Sequence, residues 1–304
     1  MRIGYFANVV NDGSVDDIVE SARTAEVAGY DTYWAPQIFS HDTLTALAVV
    51  GREVPRIELG TSVVPTFPRH PLMLAQQCLT VVGAAGGRLC LGIGLSHKMV
   101  IENMFGMSFD KPLRHMREYL QVLAPAAREG SVSHDGDVYQ VHASIDVKGA
   151  QPFPILLAAL GTKMLKLAGE LADGTITWMT GPATLRDHVV PTITEASEAA
   201  DRPGPRIVAA LPMCVTDDVD TARERAATVF KIYGQLPSYR AMLDREGADG
   251  PADVAVIGSE NEVVERISAL AGLGVTDFAL VEFSSKGDDA ERTRQAMSVL
   301  MASR

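Results

Sequence analysis

The feature that most constrains the fold is a regular alternation of short apolar runs with helical patterns along almost the whole chain. The apolar runs are continuous, which is typical of strands buried on both faces of a parallel sheet. Eight such strands are predicted, at residues 2–7, 31–36, 56–64, 87–94, 154–160, 174–179, 205–215 and 277–283. Eight strand–helix units in 304 residues predict an α/β fold, a closed (β/α)8 TIM barrel. An open, doubly wound parallel sheet is the alternative.

Two segments interrupt this alternation. Residues 130–153 follow the fourth unit and predict an insertion with a hairpin, since Asp135-Gly136 lies between two short alternating runs. Residues 235–256 form a less regular excursion. No linker, low-complexity tract or run of like charge marks a domain boundary. We therefore expect residues 1–304 to form a single barrel domain with an insertion at about 130–153.

Charge and cysteine content narrow the classes of partner. The formal net charge of −11 disfavours nucleic acid or an anionic membrane as a partner. No apolar run approaches membrane-spanning length and no signal peptide is recognisable, so we expect a cytoplasmic protein. Cys78, Cys90 and Cys214 lack the spacing of a disulfide framework or a zinc site, and we expect them to be buried thiols.

The predicted barrel indicates where a site would lie, because active sites of such barrels form at the C-terminal ends of the strands. Polar or special residues follow the third, fourth and fifth predicted strands, at 62–70, 94–98 and 161–163. The motifs of P-loop, dinucleotide-binding, zinc-protease and serine-hydrolase chemistry are absent, and the seven histidines form no metal-ligand pattern. We therefore expect no metal and favour chemistry carried by a bound organic cofactor.

Three stretches carry a resemblance to a known family. They are "GTSVVPTFPRHPLMLAQQ" (60–77), "GGRLCLGIG" (86–94) and "PILLAALGTKMLKLAGELADGTITWM" (154–179). With them, the chain resembles the bacterial luciferase-like flavin-dependent family over essentially its whole length. It is most similar to the actinobacterial branch that uses the deazaflavin coenzyme F420. The resemblance implies a barrel with an insertion after the fourth unit, a homodimer, and a cofactor at the C-terminal mouth of the barrel.

The function that the resemblance implies is an F420-dependent oxidoreductase, which transfers a hydride between the deazaflavin and a small organic substrate. The alternative within the same fold is an FMN-dependent monooxygenase that activates oxygen. A catalytically silent cofactor-binding barrel and a lyase or isomerase without flavin remain as rivals from other classes. A lyase or isomerase would need paired carboxylates or a metal cluster at the strand ends, and the sequence predicts neither there.

The resemblance also implies the residues that would hold the cofactor. Ser62-Val63 corresponds to a non-proline cis peptide behind the middle ring of the cofactor. Gly161 begins a helix whose backbone N–H groups would bind the cofactor phosphate, with added charge from Lys163. A simpler interpretation is an ordinary helix start capped by Thr162. The further residues implied are Thr66, His70, Gly94, Leu95, Ser96, Ala159, Leu160, Thr162, Met164 and Trp178. For His70 and Trp178, packing roles are the alternative.

Two residues are candidates for catalysis, and both depart from the family pattern. Several deazaflavin relatives have an Asp-His pair where this chain has Pro36-Gln37. Gln37 can hydrogen-bond a substrate or a ring carbonyl, but it cannot act as a general base. His97 stands where such relatives have a carboxylate, and it could donate or accept a proton. An ordinary surface histidine is the alternative.

Overall fold

The computed structural model describes residues 1–284 and 287–302, and the strands and helices in these ranges alternate much as predicted. The strands are β1 (Arg2–Phe6), β2 (Thr32–Ala35), β3 (Glu58–Thr61), β4 (Val64–Pro65), β5 (Leu89–Gly94), β6 (Ser131–Asp135), β7 (Gln140–Ser144), β8 (Ile155–Leu157), β9 (Gly174–Trp178), β10 (Arg206–Val215), β11 (Val256–Gly258) and β12 (Asp277–Glu282). The helices are α1 (Val15–Val27), α2 (Thr43–Glu53), α3 (Pro71–Ala84), α4 (Pro112–Glu129), α5 (Thr162–Leu171), α6 (Pro182–Thr184), α7 (Val190–Ala199), α8 (Val219–Val229), α9 (Pro237–Glu246), α10 (Pro251–Val254), α11 (Glu260–Ala271) and α12 (Asp289–Ala302).

Eight of these strands close into a parallel barrel. The hydrogen-bonded order is β1-β2-β3-β5-β8-β9-β10-β12, and β12 returns to pair with β1. In that closing pair, Ile3 lies beside Phe278, and on the other side of β1, Gly4 lies beside Thr32. The predicted TIM barrel is therefore confirmed, and the open doubly wound sheet is wrong.

The predicted third strand is broken into two pieces, β3 and β4. The break falls at Ser62-Val63, where the peptide bond is cis, as the resemblance implies. Thr61 bridges the gap in the ladder: its Oγ1 donates to the Gly92 carbonyl at 2.7 Å and accepts from the Gly92 N–H at 2.8 Å. Beyond the break, β4 pairs with the end of β5 through Val64.

The predicted insertion contains an antiparallel hairpin, β6–β7, directly after α4. Its turn wraps around Glu118 of α4, whose carboxylate accepts the backbone N–H groups of Asp137, Val138 and Tyr139. Burial would raise the pKa of Glu118, but these hydrogen bonds to the charged form outweigh it and lower the pKa. The hairpin is thus fixed to the outside of the barrel.

Two helical segments depart from regular α-helix. From Pro182 to Ala199 the chain stays helical, with one turn of π-helix at Leu185–Val189 between α6 and α7. Pro191 lies in the first turn of α7, directly after this π-helical turn. α8 ends at Val229, and a 3-10 turn at Lys231–Gln235 follows. The excursion at 235–256 holds α9 and α10 and leads into β11, which pairs with the end of β10.

The inside of the barrel is filled in layers. The middle layer is apolar, and its buried members are Trp34, Cys90, Leu156, Ile176, Val208, Ala210, Ala279 and Val281. Below it, at the N-terminal end, Arg206 bonds to Glu58 at 2.7 Å and to Asp277 at 2.6 Å, and its guanidinium lies 5.5 Å from the centre of the Trp34 ring. A larger apolar core lies between the strands and the surrounding helices.

All three cysteines are buried, as expected. Among the described residues, no helix is both long enough and apolar enough to cross a bilayer.

Candidate functional site

The C-terminal end of the barrel, here called the mouth, has an apolar floor. It consists of Phe6, Val63, Ala158 and Trp178, four partly buried side chains that pack on the inner core from the ends of different strands. A Cβ on Gly94 would lie 2.8 Å from the Val63 side chain and 3.2 Å from that of Ala158. Glycine at 94 is therefore what lets these two side chains approach β5. Val63, Gly94 and Trp178 were predicted for the site, whereas Phe6 and Ala158 were not.

Two residues directly after barrel strands have left-handed backbone conformations that are unusual outside glycine. Ser96 follows β5 with φ 61°, and Met179 follows β9 with φ 53°. Such conformations persist where surrounding structure holds them, and they concentrate at functional sites. Leu95, beside Ser96, is partly buried against the main core. The loop after β5 is thus held by a packed side chain at its first residue.

Aromatic rings link the loop after β5 to the end of β9. The ring centres of His97 and Tyr239 are 5.9 Å apart, those of Tyr239 and Tyr233 5.2 Å, and those of Tyr233 and Trp178 5.6 Å. The sequence analysis missed both tyrosines. The available signal was three aromatic residues, Phe230, Tyr233 and Tyr239, within ten positions of a chain that is only 6% aromatic.

The helix that carries Tyr239 is fastened to the barrel by a carboxylate. Glu246, at the end of α9, accepts the backbone N–H groups of Ala183 at 3.0 Å and Thr184 at 2.7 Å. These are first-turn donors of α6, which a carboxylate satisfies well. A Cβ on Gly181 would lie 2.3 Å from the Glu246 carboxyl carbon, so glycine there admits the carboxylate. Tyr239 is thereby held at the mouth.

His97 is half-buried beneath this aromatic contact. Burial lowers the pKa of its imidazole below the usual 6.5. The ring is therefore mostly neutral at pH 7, and it can accept a proton but is a poor proton donor as an imidazolium. Its backbone carbonyl accepts the N–H groups of Val100 and Ile101, which begins the turn that follows.

The start of α5 lies after β8 on the same rim. Gly161 is the N-cap, with φ −75° and ψ 148°, and no side chain caps the helix. The interpretation that Thr162 is the cap is wrong, because the helix begins at Thr162 itself. The first turn has no acidic residue, and Thr162 and Lys163 are exposed. A Cβ on Gly161 would meet no atom within 4 Å, so the space above the first N–H groups is open.

The turn before α5 is fixed from behind by a histidine that the sequence analysis missed. His188, in the π-helical turn after α6, donates from Nε2 to the Leu160 carbonyl at 2.8 Å. Ala159 is buried, and Met164 packs partly buried on the main core. Among the residues predicted for the phosphate turn, 159–162 and Met164, Gly161 and Thr162 are thus the exposed ones.

Two of the predicted cofactor residues have other structural roles. Thr66 is fully buried, and its Oγ1 lies 3.0 Å from His115 Nε2, whose ring stacks on Phe67. The pKa of His115 is lowered by burial to about 4, so this ring is neutral. His70 is the N-cap of α3, and its Nδ1 accepts the Leu72 N–H at 3.3 Å. His70 thus caps α3 while its side chain stays exposed, and the Thr66 side chain is not exposed to a ligand.

Gln37 is also engaged within the protein. Its Oε1 accepts the Thr43 N–H at 2.8 Å at the start of α2, and Arg69 approaches the same oxygen at 3.4 Å. Arg69 in turn pairs with Asp42, the N-cap of α2. The side chain of Gln37 therefore organises the loop after β2, and this structure gives it no free acceptor for a substrate.

An open groove of about 750 Å³ lies elsewhere on the surface, between α4 and the hairpin, lined in part by Pro125, Glu129, Ser133 and His142. Because α4 runs antiparallel to the strands, its last residues lie towards the N-terminal end of the barrel. The groove is thus not part of the mouth. Within residues 1–284 and 287–302, no group of three or more His, Cys, Asp or Glu side chains is arranged to hold a metal ion.

Comparison with known proteins decides the family. Residues 1–277 match the family model described as luciferase-like monooxygenase. The chain belongs to this family. The resemblance found in the sequence is thereby confirmed, and so is the enzyme class, an oxidoreductase.

The relatives of this luciferase-like chain include named F420 enzymes. A Mycobacterium tuberculosis protein, provisionally named a coenzyme F420-dependent oxidoreductase, is 30% identical over 92% of this chain and 86% of its own length. The 5,10-methylenetetrahydromethanopterin reductase of Archaeoglobus fulgidus is 26% identical over 90% of this chain and 91% of its own. The F420-dependent tetrahydromethanopterin reductase of Methanopyrus kandleri superposes with a TM-score of 0.80 at 23% identity, covering 98% of this chain and 97% of its own, which shows the shared fold.

Proposed function

We propose that this chain is an F420-dependent oxidoreductase that transfers a hydride between the deazaflavin and a small organic substrate at the mouth. The observation that carries the proposal is that an apolar floor and an uncapped helix start lie on the same end of the barrel. A flavin-like cofactor needs both, one for its ring and one for its phosphate. The relatives named as F420-dependent support the choice of cofactor.

The residues present fit such a cofactor at two points. The partly buried side chains of Phe6, Val63, Ala158 and Trp178 give an apolar surface at the mouth against which a flat ring can pack. At the other point, the space above Gly161 is open to an anion, which backbone N–H groups at a helix start bind well.

When bound, F420 supplies the ring carbon that carries the hydride. The protein's own side chains divide the remaining work. Val63 and Trp178 form an apolar surface that excludes water, and the start of α5, with Lys163, binds the phosphate. Neutral His97 accepts a proton on its imidazole nitrogen from a substrate hydroxyl, or returns it in the reverse direction. We do not assign Gln37 or Thr66 to these roles, because their side chains are engaged within the protein. A ring contact by His70, whose side chain is exposed, stays a prediction.

The same parts would also accept FMN, which is why the FMN monooxygenase stands beside the proposal. We also expect the protein to be a cytoplasmic homodimer. Its substrate is expected to be a small molecule.

The experiment that tests the cofactor is a pair of fluorescence titrations of the purified protein, one with oxidised F420 and one with FMN. Micromolar or tighter binding of F420 with much weaker binding of FMN supports the proposal. Preference for FMN replaces it with the monooxygenase, which oxygen consumption then checks. Binding of neither cofactor removes the proposal.

A matched pair of glycine variants tests the phosphate position. Gly161→Val adds a side chain to the open space above α5, and we expect F420 to bind roughly ten- to a hundredfold more weakly, since hydrogen bonds to charged groups contribute about 1.5–3 kcal/mol each. The control is Gly204→Val, which also meets no atom within 4 Å but lies just before β10 at the opposite end of the barrel. Equal F420 affinity of both variants would remove the phosphate assignment.

A further inference from the structure

The loop after β5 presents an unusual amount of apolar surface. Residues 95–109, here called the mouth segment, leave the C-terminal end of β5 and contain one turn of π-helix at Val100–Met104. Fourteen large apolar side chains are exposed in the described ranges, and six of them lie either on this segment or on the loop after β2. The six are Ile38, Phe39, Met99, Met104, Phe105 and Met107. Scattered exposed apolar residues are ordinary, but such a concentration marks a binding surface.

Ring contacts place these side chains beside the mouth. Phe105 of the mouth segment meets Phe39 of the loop after β2, with ring centres 6.5 Å apart. At its other end, His97 meets Tyr239, which connects through Tyr233 to Trp178 on the floor. The barrel order puts β3 between β2 and β5. The Phe39–Phe105 contact therefore spans the strand end that carries Val63, and the apolar surface is continuous with the floor.

The charge of the mouth segment does not favour a charged ligand. Lys98 and Glu102 are its two charged residues apart from His97, and they lie 3.7 Å apart as a pair on the same turn. On the neighbouring loop, Asp42 is paired with Arg69. Lys98 and Arg69 each already have a carboxylate partner, so these loops offer no surplus positive charge to a phosphorylated or carboxylated substrate.

The mouth segment is held in a way that leaves its apolar side chains adjustable. Ile101 is its fully buried residue, whereas the three methionines are exposed. Methionine side chains are flexible and polarisable, and they adapt to apolar ligands of different shape. A π-helical turn is itself a feature that recurs at functional sites.

We propose that the substrate of this site is an uncharged molecule with an extended apolar part, which Phe39, Phe105 and the methionines of the mouth segment hold against the apolar floor. This inference deepens the proposed function and rests on it for the chemistry, but the apolar binding itself requires no cofactor. The favourable term is the removal of apolar surface of both partners from water.

Binding of a neutral apolar probe tests the inference without turnover. Titration of the full-length protein with N-phenyl-1-naphthylamine should show saturable fluorescence enhancement. A series of 2-alkanones from pentanone to undecanone should displace the probe, with a midpoint that falls about three- to fourfold for each added CH2 group, as expected for burial of a methylene.

The matched variants change exposed residues only, so the fold should not be affected. Phe39→Ser/Phe105→Ser should weaken probe binding about tenfold and flatten the alkanone series. Val27→Ser/Val299→Ser removes two exposed apolar side chains from outer helices and should bind the probe like the wild type. Unchanged probe binding in the phenylalanine variant, or an equal loss in the control variant, would overturn the inference.

Two other occupants of this surface give different results. If sedimentation shows that Phe39→Ser/Phe105→Ser turns a dimer into a monomer, a second copy of the chain covers the surface and the inference is wrong. Loss of binding to neutral phosphatidylcholine vesicles in that variant alone would equally overturn it in favour of a lipid surface.

F420 titrations of the same proteins separate this inference from the proposed function. Probe binding that depends on Phe39 and Phe105, in a protein that binds no F420, supports the apolar site and removes the proposed cofactor. If the protein binds F420 but its probe binding does not depend on either phenylalanine, the proposed cofactor stands and the proposed apolar substrate is wrong.

Discussion

The two ends of the barrel solve opposite problems with the same eight strands. At the N-terminal end, charged side chains from different strands meet and satisfy one another: Arg206 bonds to Glu58 and Asp277, and Arg2 lies 3.0 Å from Glu58. At the mouth, the corresponding layer consists of the apolar side chains of Phe6, Val63, Ala158 and Trp178. The difference indicates that one end stabilises the fold through paired charges, whereas the other offers an apolar surface to a ligand.

Hydrogen bonding explains why buried charges are stable at the N-terminal end of the barrel, which we call the closed end. Burial would raise the pKa of Glu58, but the hydrogen bonds and charge of Arg206, with the charge of Arg2, outweigh it and lower the pKa. The pKa of the Arg206 guanidinium is raised in turn, although burial alone would lower it. Thr32 Oγ1 also donates to Glu58 at 2.7 Å. Each charge is therefore paired and hydrogen-bonded, which is the condition under which burying charge is possible.

Breaking the closed end should have the largest effect on stability. Arg206→Met leaves Glu58 and Asp277 with Arg2, a more exposed cation, as their remaining partner. We expect a loss of about 3 kcal/mol in the free energy of unfolding, the low end for a broken buried pair because Arg206 and Glu58 keep some exposure. Urea unfolding measures it. Arg117→Met breaks the more exposed pair with Glu170 and should cost about 0–1 kcal/mol. Equal losses would contradict the distinction between the two ion pairs.

Lowering the pH should reduce the difference in stability between the wild type and Arg206→Met. A carboxylate whose pKa is lowered by folding stabilises the protein above its unfolded pKa, and this contribution disappears as the pH falls through the folded value. The wild type therefore loses the contribution of Glu58 in acid. Without Arg206, burial shifts the pKa of Glu58 upwards, so acid relieves the variant. Unfolding at pH 7 and pH 4 should show a smaller gap at pH 4, and a gap that widens would contradict the assignment.

At the mouth, we expect a smaller effect, which is a shift in the pKa of one side chain, His97. Burial lowers the pKa of His97, and Tyr239 supplies part of that cover. Tyr239→Ala should therefore raise the pKa of His97 towards 6.5, which an NMR titration of the imidazole signals detects. Tyr139→Ala, beside the insertion hairpin, serves as the control and should leave His97 unchanged. A fall in the pKa of His97 in the Tyr239 variant would show that burial is not the cause.

The sequence predicts the barrel strands better than either end of the barrel, for a physical reason. Continuous apolar strands and helices are local patterns, so the eight barrel strands can be located without knowing their partners. The roles of Thr66 and Gln37 depend on partners in other loops and helices, such as His115, 49 positions away. Tyr233 lies in the 3-10 turn before the irregular excursion and Tyr239 within the excursion, where no periodic pattern indicates which way a side chain faces.

Glycine marks the part of the mouth that local sequence does predict. Gly94 and Gly161 were predicted for the site, and the structure gives each a steric reason: one admits Val63 and Ala158, and the other leaves space over α5. Predictions of side-chain roles were less successful, because contacts with residues of other loops determine whether a side chain is free to meet a ligand. His97 keeps its position at the mouth but is neutral near pH 7.

The most direct test of the contrast between the two ends is a crystal structure of the protein with F420. The account predicts the deazaflavin ring against Val63 and Trp178, with the cofactor phosphate at Gly161 and Thr162 and no change around Arg206. Cofactor density in the groove between α4 and the hairpin, or at the N-terminal end of the barrel, would contradict it.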